Sequence, residues 1–278
     1  MPEGDTIFRA ARAMNQALAG KKVKRFDSVL PKLTRIDEDV PLAGRTVESV
    51  NSAGKWNLIR FSGDLILLTH MRMNGSWHLY RPGERWQRPK SDMRIVIETA
   101  DFVAVGFNVP VAEFHTEESL RRKPELRQLG EDLLSEDFDT EAALQRLKSQ
   151  AGEEIGIALL NQRVMAGIGN IYKSEICFAC KVNPFARIQS LNHDQLQCLV
   201  QTARKFLKAN VSEESGSGIV TYTGFRRTTG RHNPAEKLWV YGRRGLPCRT
   251  CGTTIEAKKD KLDARVTFWC PNCQPMAG

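Results

Sequence analysis

The stretch CRTCGTTIEAKKDKLDARVTFWCPNC, residues 248–273, contains two Cys-x2-Cys pairs that 18 residues separate. Each pair places two thiolates on one tight turn, and two such turns supply all four ligands of a tetrahedral, structural zinc site. Two disulfides are the alternative, but an odd total of seven cysteines favours metal ligation in a reducing compartment. We therefore predict one structural Zn²⁺ that is held by Cys248, Cys251, Cys270 and Cys273.

The residues between the two pairs are predicted to form the strands of a small ribbon. Residues 253–257 and 266–269 have strand composition, and Arg265 lies just before the second strand. A further pair, Cys177-x2-Cys180, lies in a predicted helix beside apolar side chains. We interpret these two as buried packing residues, and Cys198 as a packing or partly exposed residue.

Helical periodicity dominates the region before the ribbon. Four helices are predicted, over residues 139–149, 153–162, 171–180 and 192–209. The last is the clearest, because Asn192 and Gln195 have the spacing of an N-terminal capping box. Residues 211–234 are rich in Ser, Gly, Thr and Arg, which predicts a loop or linker.

The first half of the chain has β patterning. Short β-branched or aromatic runs occur at residues 46–50, 56–61, 65–69, 77–80, 94–99 and 102–107. Gly, Asn, Pro or Asp separates them, which is typical of an antiparallel sandwich or barrel. Residues 81–92 are polar and predict a loop. A helix is predicted over residues 5–20, so the short lead Pro2-Glu3-Gly4 is tied to a folded element.

The charge distribution indicates a polyanionic partner. The formal net charge is +9, and residues 222–278 hold eleven Lys or Arg against four Asp or Glu. A concentrated basic region fits phosphate-backbone binding better than a uniform spread does. The chain has no apolar run of roughly 18 residues and no signal-peptide pattern, so we expect a cytoplasmic protein without a membrane partner.

A glycine-rich turn, AGIGN at residues 166–170, precedes the third predicted helix. Glycines leave backbone N–H groups accessible, and a helix N-terminus adds positive potential, so such a turn suits a phosphate. Asn170 can cap the helix or donate its amide to that phosphate. An ordinary turn between two helices is the alternative, and the turn alone does not exclude it.

Three motifs occur in a characteristic order: MPEG at residues 1–4, GIGNIY at 167–172 and FWCPNCQ at 268–274. Together they closely resemble the Fpg/Nei family of DNA glycosylase/AP lyases, which comprises formamidopyrimidine-DNA glycosylase and endonuclease VIII. The segments LGEDLL at 129–134, LNQ at 160–162 and WVYGR at 239–243 extend the resemblance over nearly the whole chain.

The resemblance implies an α+β multidomain fold. We expect an N-terminal antiparallel β-sandwich catalytic domain with flanking helices over residues 1–123 and a helix–two-turn–helix DNA-binding domain over 124–210. A linker over 211–239 and a zinc-ribbon finger over 240–278 follow. DNA would lie in the cleft between the halves. The implied partner is damaged double-stranded DNA, with single-stranded or abasic-site DNA as further candidates, and we expect a monomer.

The resemblance also assigns catalytic residues. The family's N-terminal proline corresponds to Pro2 as nucleophile, and its adjacent glutamate corresponds to Glu3 as general acid/base. Its hairpin-loop lysine matches Lys55 in SAGK, residues 52–55. Its ribbon arginine matches Arg265, which would bind a phosphate and take part in the second elimination step.

Further residues are implied to contact DNA. The family's phosphate-binding asparagine matches Asn170, which follows Gly169 in the glycine loop. The loop MRMNG at residues 71–75 resembles the family's void-filling loop, and Met73 is the candidate wedge. A core position at a strand end is the alternative for Met73.

Elementary chemistry supports the assignment of Pro2. A proline side chain carries no nucleophile, so a role in catalysis requires its α-nitrogen, which is an amine only after removal of Met1. With an α-amino pKa of roughly 8, this amine is partly neutral at physiological pH and can attack the sugar C1′. The iminium product acidifies the C2′ proton and permits β- and then δ-elimination.

Two departures from the family pattern concern the substrate. Thr6 replaces a second family glutamate, and VGFNVP at residues 105–110 lacks the Arg-x-Phe pair with which formamidopyrimidine glycosylases read the opposite base. With the MPEG start, this favours the endonuclease VIII branch and oxidised pyrimidines. The alternatives are formamidopyrimidine/8-oxoguanine specificity, a non-catalytic protein that binds damaged DNA on this scaffold, and an RNA-binding zinc ribbon.

Overall fold

The chain divides into two units, Met1–Gln128 and Leu129–Gly278, in a computed structural model. The structure describes residues 2–212, 219, 221, 237–259 and 265–276. Most of the predicted linker over residues 211–239 therefore lies outside the described residues. Within the described ranges, no helix combines the length and the apolar character that crossing a membrane requires.

Unit 1, Met1–Gln128, contains two antiparallel four-stranded sheets. Their strands are β1 (Arg25–Ser28), β2 (Val47–Ala53), β3 (Trp56–Phe61), β4 (Leu65–His70), β5 (Ser76–Tyr80), β6 (Met93–Glu98), β7 (Val103–Phe107) and β8 (Val111–His115). One sheet has the order β2-β3-β4-β8 and the other has the order β1-β6-β7-β5. The predicted antiparallel β-sandwich is confirmed.

The core of unit 1 lies between the two sheets and one helix. Ile59 and Leu67 of the first sheet share a cluster of fully buried side chains with Ile95 of the second. Helix α1 (Gly4–Leu18) adds the apolar face that contains Met14 to the same cluster. Since strand side chains alternate between faces, every second residue of these strands reaches this shared core.

Three short helices flank the sheets of unit 1. They are α2 (Pro31–Asp39), α3 (Glu117–Arg121) and α4 (Pro124–Arg127). Proline begins α2 and α4, because the first helical position needs no N–H donor and favours the φ of proline. Thr116 begins α3 through a capping box with Ser119.

Unit 2, Leu129–Gly278, begins with a helical domain. Its helices are α5 (Thr140–Lys148), α6 (Ile155–Leu160), α7 (Asn170–Ala179) and α8 (His193–Val211). The two-residue strands β9 (Glu131–Asp132) and β10 (Met165–Ala166) pair in parallel. All four helices contribute to one buried cluster. Asn192 and Gln195 form the predicted capping box at the start of α8.

The zinc-ribbon region completes unit 2. Strand β11 (Glu256–Lys259) pairs antiparallel with β12 (Val266–Trp269), which spans the predicted residues. The predicted bounds of the first strand, residues 253–257, were partly wrong, because β11 begins three residues later and ends at Lys259. The N–H of Cys248 donates to the Thr253 carbonyl and Thr254 bridges to Pro247, so this stretch closes the first cysteine turn before the ribbon begins.

Candidate active site, phosphate anchors and zinc centre

The candidate nucleophile and acid lie where α1 begins. Glu3 is the N-cap of α1, and its carbonyl accepts a hydrogen bond from the N–H of Ile7 at 3.1 Å. The Glu3 side chain is fully buried, and it does not cap the helix. Pro2 precedes it and is half-buried. The start of α1 therefore holds the candidate nucleophile and the candidate acid at adjacent positions.

Asp5 is a buried acid that the sequence suggests, together with Thr6, only as a candidate cap of this helix; the structure corrects this, because Glu3 is the N-cap and Asp5 lies inside α1. Its Oδ2 accepts a hydrogen bond from Arg9 at 3.1 Å, whereas its buried Oδ1 has no partner at hydrogen-bond geometry. Burial raises the pKa of Asp5 although the Arg9 charge opposes the shift. Asp5 therefore retains a proton at higher pH than an ordinary aspartate, one position before Thr6, where the family pattern has its second glutamate.

Lys55 lies in a two-residue hairpin between β2 and β3. Ala53 pairs with Trp56, so Gly54 and Lys55 form the whole turn, and Gly54 has the positive φ of 55° that such a turn requires. The half-buried Lys55 side chain is thus presented by the tip of a regular ladder rather than by a long loop.

His70 is a residue that the sequence analysis missed. It ends β4 opposite Trp56, with ring centroids 4.8 Å apart. Burial, together with the charges of Arg72 and Lys55, lowers the pKa of His70 to about 4. Its Nδ1 accepts the N–H of Arg72 at 3.0 Å, so the neutral ring carries its proton on Nε2. The structure thus brings a neutral N–H donor close to Lys55.

The candidate wedge protrudes from the turn between β4 and β5. Met73 is 61% exposed, whereas Met71 is 2% exposed and belongs to the core. This exposure argues against the alternative of a core residue at position 73. Gly75 closes the turn by donating to the Met71 carbonyl at 2.9 Å, and a Cβ on Gly75 would lie 2.6 Å from that oxygen.

Gln162 shapes the glycine loop of unit 2. Its amide donates to the Ile168 carbonyl at 3.0 Å, and its oxygen accepts from the N–H of Gly167 at 3.0 Å. Gly167 has a φ of 112°, a conformation that side chains rarely permit. Gly169 is the N-cap of α7, so Asn170 occupies the first helical position and does not itself cap the helix.

Asn170 links this loop to the ribbon. Its Nδ2 donates to the carbonyl of Val266 at 2.9 Å, and its buried Oδ1 has no hydrogen-bond partner. Val266 directly follows Arg265, so the structure brings these two predicted phosphate ligands to neighbouring backbone positions. A primary amide has a second N–H, which leaves Asn170 able to donate to another acceptor.

Two more side chains of α7 hold strand β12. Lys173 is 1% exposed and donates from Nζ to Oγ1 of Thr267 at 2.6 Å. The hydroxyl of Ser174 accepts the N–H of Phe268 at 3.4 Å. A polar side of one helix therefore fixes the strand that follows Arg265.

Glu175 organises the segment before the ribbon. Its carboxylate accepts the backbone N–H groups of Trp239, Val240 and Tyr241 at 2.8–2.9 Å, together with the Thr221 hydroxyl. Burial raises the pKa of Glu175 even though these donors oppose the shift. The sequence signal was weak, because an acid inside a mixed helix ordinarily faces solvent.

The four predicted zinc ligands form one compact cluster. Their sulfur atoms all lie within 4.8 Å of one another, close to the ~3.8 Å separation of tetrahedral thiolates at Zn–S distances of ~2.3 Å. The N–H groups of Thr250 and Cys273 point to the sulfurs of Cys248 and Cys270 at 3.4 and 3.5 Å. This donor set fits one Zn²⁺ and leaves no open ligand position.

The remaining cysteines correct part of the sequence interpretation. Cys177 is fully buried in α7, as expected. Cys180 is the half-buried C-cap of α7 and forms a disulfide with Cys198 of α8, so its interpretation as a buried packing residue was wrong. The error arose because the pairing depends on how α7 packs against α8, which helical periodicity does not show.

Comparison with known proteins matches three segments to family models. Residues 1–110 match the formamidopyrimidine-DNA glycosylase N-terminal domain, residues 129–222 match the H2TH domain of that enzyme, and residues 245–275 match a zinc finger found in FPG and IleRS. The chain is 41% identical to "Probable endonuclease 8 2" of Streptomyces coelicolor, over 99% of this chain and 94% of that one. It belongs to the Fpg/Nei family of DNA glycosylase/AP lyases.

Other relatives agree with this assignment. The chain is 39% identical to "DNA-(apurinic or apyrimidinic site) lyase Nei2" of Mycolicibacterium smegmatis, over 99% of each chain. The fold matches Lactococcus lactis Fpg in a complex with abasic-site DNA, with a TM-score of 0.81, 23% identity, and 99% and 100% of the two chains covered.

These comparisons confirm several predictions. The α+β fold with a β-sandwich, a helix–two-turn–helix domain and a zinc finger is confirmed, and so are the structural zinc and the DNA-repair enzyme class. Relatives named endonuclease 8 and Nei2 support the predicted Nei branch. Repair of oxidised bases is supported at the level of the family.

Proposed function

We propose that this Fpg/Nei protein excises oxidised bases from duplex DNA, oxidised pyrimidines above all, and then cleaves the strand by β,δ-elimination. The observation that carries the proposal is the arrangement at the start of α1. Pro2 directly precedes Glu3, the N-cap residue of α1, whose side chain is fully buried and makes no capping hydrogen bond to the helix. A chain that only bound DNA would not need this pair.

In the proposed reaction the free α-nitrogen of Pro2 attacks C1′ as the C1′–N bond to the damaged base breaks. The base departs with the proton that the Pro2 nitrogen loses on attack. Glu3 then protonates the ring oxygen O4′, so the C1′–O4′ bond breaks and an iminium ion forms between the Pro2 nitrogen and C1′. The iminium ion then acts as an electron sink. Loss of a C2′ proton expels the 3′ phosphate, and a second elimination expels the 5′ phosphate. Lys55 is proposed to pair with the phosphate next to the lesion or to help protonation, and Arg265 to take part in the second elimination.

The same proposal assigns the DNA contacts. Asn170, preceded by Gly169, and Arg265 bind phosphates that flank the lesion, and Met73 fills the space that the flipped nucleotide leaves. The hydrogen bond from Asn170 to Val266, which directly follows Arg265, and the exposure of Met73 support these roles. The protein is proposed to act as a monomer on damaged double-stranded DNA, with abasic-site or single-stranded DNA as further substrates.

The preference for pyrimidines rests on a short connection in unit 1. Only residues 108–110 join β7 to β8, and the side chain of Val109 is 1% exposed. The N–H of Asn108 donates to the Asp92 carbonyl at 2.7 Å, which holds the connection against the sheet. A segment this short and tightly held offers no Arg-x-Phe pair to read the opposite base, so discrimination at that base should be weak.

Borohydride trapping on abasic-site DNA tests the nucleophile. The processed protein should form a covalent adduct, because borohydride reduces an iminium ion to a stable amine. Pro2→Gly, and protein that retains Met1, should lose at least about 90% of the adduct, since the secondary amine is gone or blocked. Pro31→Gly, at the exposed start of α2, is the matched control and should trap normally.

The outcomes separate the candidate functions. No adduct with processed protein that still binds the DNA would leave only the non-catalytic alternative. If the protein that retains Met1 forms as much adduct as the processed protein, the nucleophile is a residue other than Pro2. A kcat/KM for 8-oxoguanine opposite cytosine equal to or above that for an oxidised pyrimidine would overturn the proposed preference.

A further inference from the structure

The seven cysteines of the chain fall into three groups. Four form the zinc centre, and the fully buried Cys177 has its pKa raised to about 12 by burial, which makes its thiol unreactive. Cys180 and Cys198 remain; the structure joins them by a disulfide, and both residues are half-buried, unlike the fully buried Cys177. Neither the zinc centre nor the proposed reaction uses these two residues.

The fold of unit 2 places Cys180 and Cys198 in bonding position. Cys180 ends α7, Cys198 lies in the second turn of α8, and their Cα atoms are 5.9 Å apart, inside the range for an unstrained disulfide. The hydroxyl of Thr202 lies 3.4 Å from the Cys180 sulfur and 3.8 Å from the Cys198 sulfur. It can therefore hydrogen-bond either sulfur when both are thiols.

Helix α7 ends in a backbone conformation that is unfavourable for the residue present there. Lys181 follows Cys180 with a φ of 54°, in the left-handed region where helix ends ordinarily carry glycine. A side chain there weakens the helix end, since the conformation is unfavourable for L-residues. A bond between residue 180 and α8 would hold α7 at its least favourable turn.

The other end of α7 holds the proposed phosphate anchor. Asn170 begins the helix and Lys173 binds β12 of the ribbon. Asn170 and Cys180 thus lie at the two ends of one ten-residue helix, and a covalent link from Cys180 to α8 restrains the helix whose first residue contacts the ribbon. Fixing one end of α7 should therefore preserve the other.

We propose that Cys180 and Cys198 form a thiol–disulfide modification site, oxidised by hydroperoxides, whose disulfide fastens α7 to α8 and keeps the DNA-anchoring helix ordered under oxidative stress. The link to stress rests on the proposed function, because the same oxidants would create the substrate bases. The existence and the effect of the disulfide do not depend on it.

The chemistry balances with hydrogen peroxide as the oxidant. One thiolate attacks a peroxide oxygen, the O–O bond breaks, and a sulfenic acid and hydroxide form. The second thiol displaces the sulfenic oxygen as water while the S–S bond forms. Two thiols and one peroxide thus give one disulfide and two waters. A cellular dithiol returns the pair to its reduced state by thiol–disulfide exchange.

The test uses zinc-loaded, full-length protein that is first reduced and then treated with a small excess of hydrogen peroxide. Differential alkylation and peptide mass spectrometry should show one intramolecular Cys180–Cys198 bond, with zinc content unchanged. The disulfide closes a segment of 18 residues and should raise the melting temperature of unit 2 by about 5–10 °C. Hydrogen exchange should slow at the end of α7.

The double variant Cys180→Ser, Cys198→Ser distinguishes the effect of the disulfide from other effects of peroxide on the protein. It should melt like the reduced wild type, bind lesion DNA equally well before treatment, and show no peroxide-dependent stabilisation. After peroxide treatment it should retain less DNA binding than the wild type. Loss of zinc before the bond forms, intermolecular bonds in its place, or equal melting of the oxidised and reduced wild type would each overturn the proposal. None of these readouts requires glycosylase activity.

Discussion

The two units support their functional side chains in different ways. In unit 1, Lys55 and Met73 lie in turns that backbone ladders and single glycines hold, and Pro2 precedes a helix start. In unit 2, the side chains of Asn170, Lys173 and other polar residues of α7 hold the ribbon directly. We therefore expect substitutions of Lys55 and Met73 to change stability little, whereas substitutions of the α7 side chains should disturb the folding of unit 2 and, under the proposed function, DNA binding with it.

Removing zinc should have the largest effect. In Cys270→Ser, or after chelation, the ribbon should unfold, because metal binding supplies its folding free energy and Cys270 lies in its small buried cluster. We expect DNA affinity to fall by more than about 100-fold. Anisotropy with lesion DNA measures the loss, and hydrogen exchange should show unit 1 still folded. Full binding by metal-free protein would contradict the coupling, and zinc re-addition is the control.

Glu175→Gln should destabilise unit 2 next most strongly. An amide cannot accept all three backbone N–H groups and the Thr221 hydroxyl, so buried donors lose their partner. The cost should be about 3 kcal/mol of the free energy of unfolding, as urea denaturation measures. Glu136→Gln, at an exposed position, should stay within about 0.5 kcal/mol of the wild type. Equal stability of both variants would refute the role of Glu175.

Arg265→Ala should weaken lesion-DNA binding by about tenfold and reduce the slope of log affinity against log salt by about 1, because one phosphate contact is lost. Arg265→Lys keeps the charge and should retain most of the slope. Titrations at several salt concentrations distinguish the two. An unchanged slope in the alanine variant would show that Arg265 has no phosphate partner.

His70 should make unit 1 less stable in acid. Its folded pKa of about 4 lies below its ordinary value of 6.5, so the unfolded chain binds the proton more tightly and stability falls as pH decreases from 6.5 towards 4. Because the ring is partly exposed, the loss at pH 5 relative to pH 7 should be only about 1 kcal/mol. His70→Gln should lack this loss, while exposed His193→Gln should retain it. Parallel pH profiles in all three proteins would contradict the assignment.

Met73→Ala should change stability least, by under about 0.5 kcal/mol, because the side chain is exposed. If it is the wedge, kcat/KM should fall on duplex DNA much more than on single strands, which need no flipping. Met71→Ala, two residues away in the core, should instead cost about 2–5 kcal/mol of stability. An equal fall of kcat/KM on duplex and single-stranded DNA would show that Met73 is not the wedge.

Local patterns predicted much of this fold. Strand β3 and the Asn192–Gln195 capping box follow from neighbouring residues and occur as predicted. Strand β8 was missed because Glu113 interrupts its apolar pattern, and β1 because only Phe26 of its four residues is buried. Short edge strands depend on their partners more than on their own composition.

The candidate site was also predictable only where it depends on residues close together in sequence. The zinc ligands have a local spacing, so their grouping could be derived, whereas the roles of Lys55 and Asn170 came from family resemblance and remain predictions. The perturbed pKa values of Asp5 and His70 could not be predicted. Burial is their main cause, and burial depends on chain segments that are distant in sequence. The backbone contacts of Glu175 likewise join residues more than 60 positions apart.

Gly75 has a consequence for how this protein and its relatives can diverge. A Cβ at position 75 would clash with the Met71 carbonyl, so any other residue there would force the turn to change its backbone conformation. Position 73, two residues earlier, meets solvent and tolerates any side chain that the turn presents. Single substitutions at this tip residue therefore change the exposed side chain while Gly75 keeps the backbone of the turn unchanged.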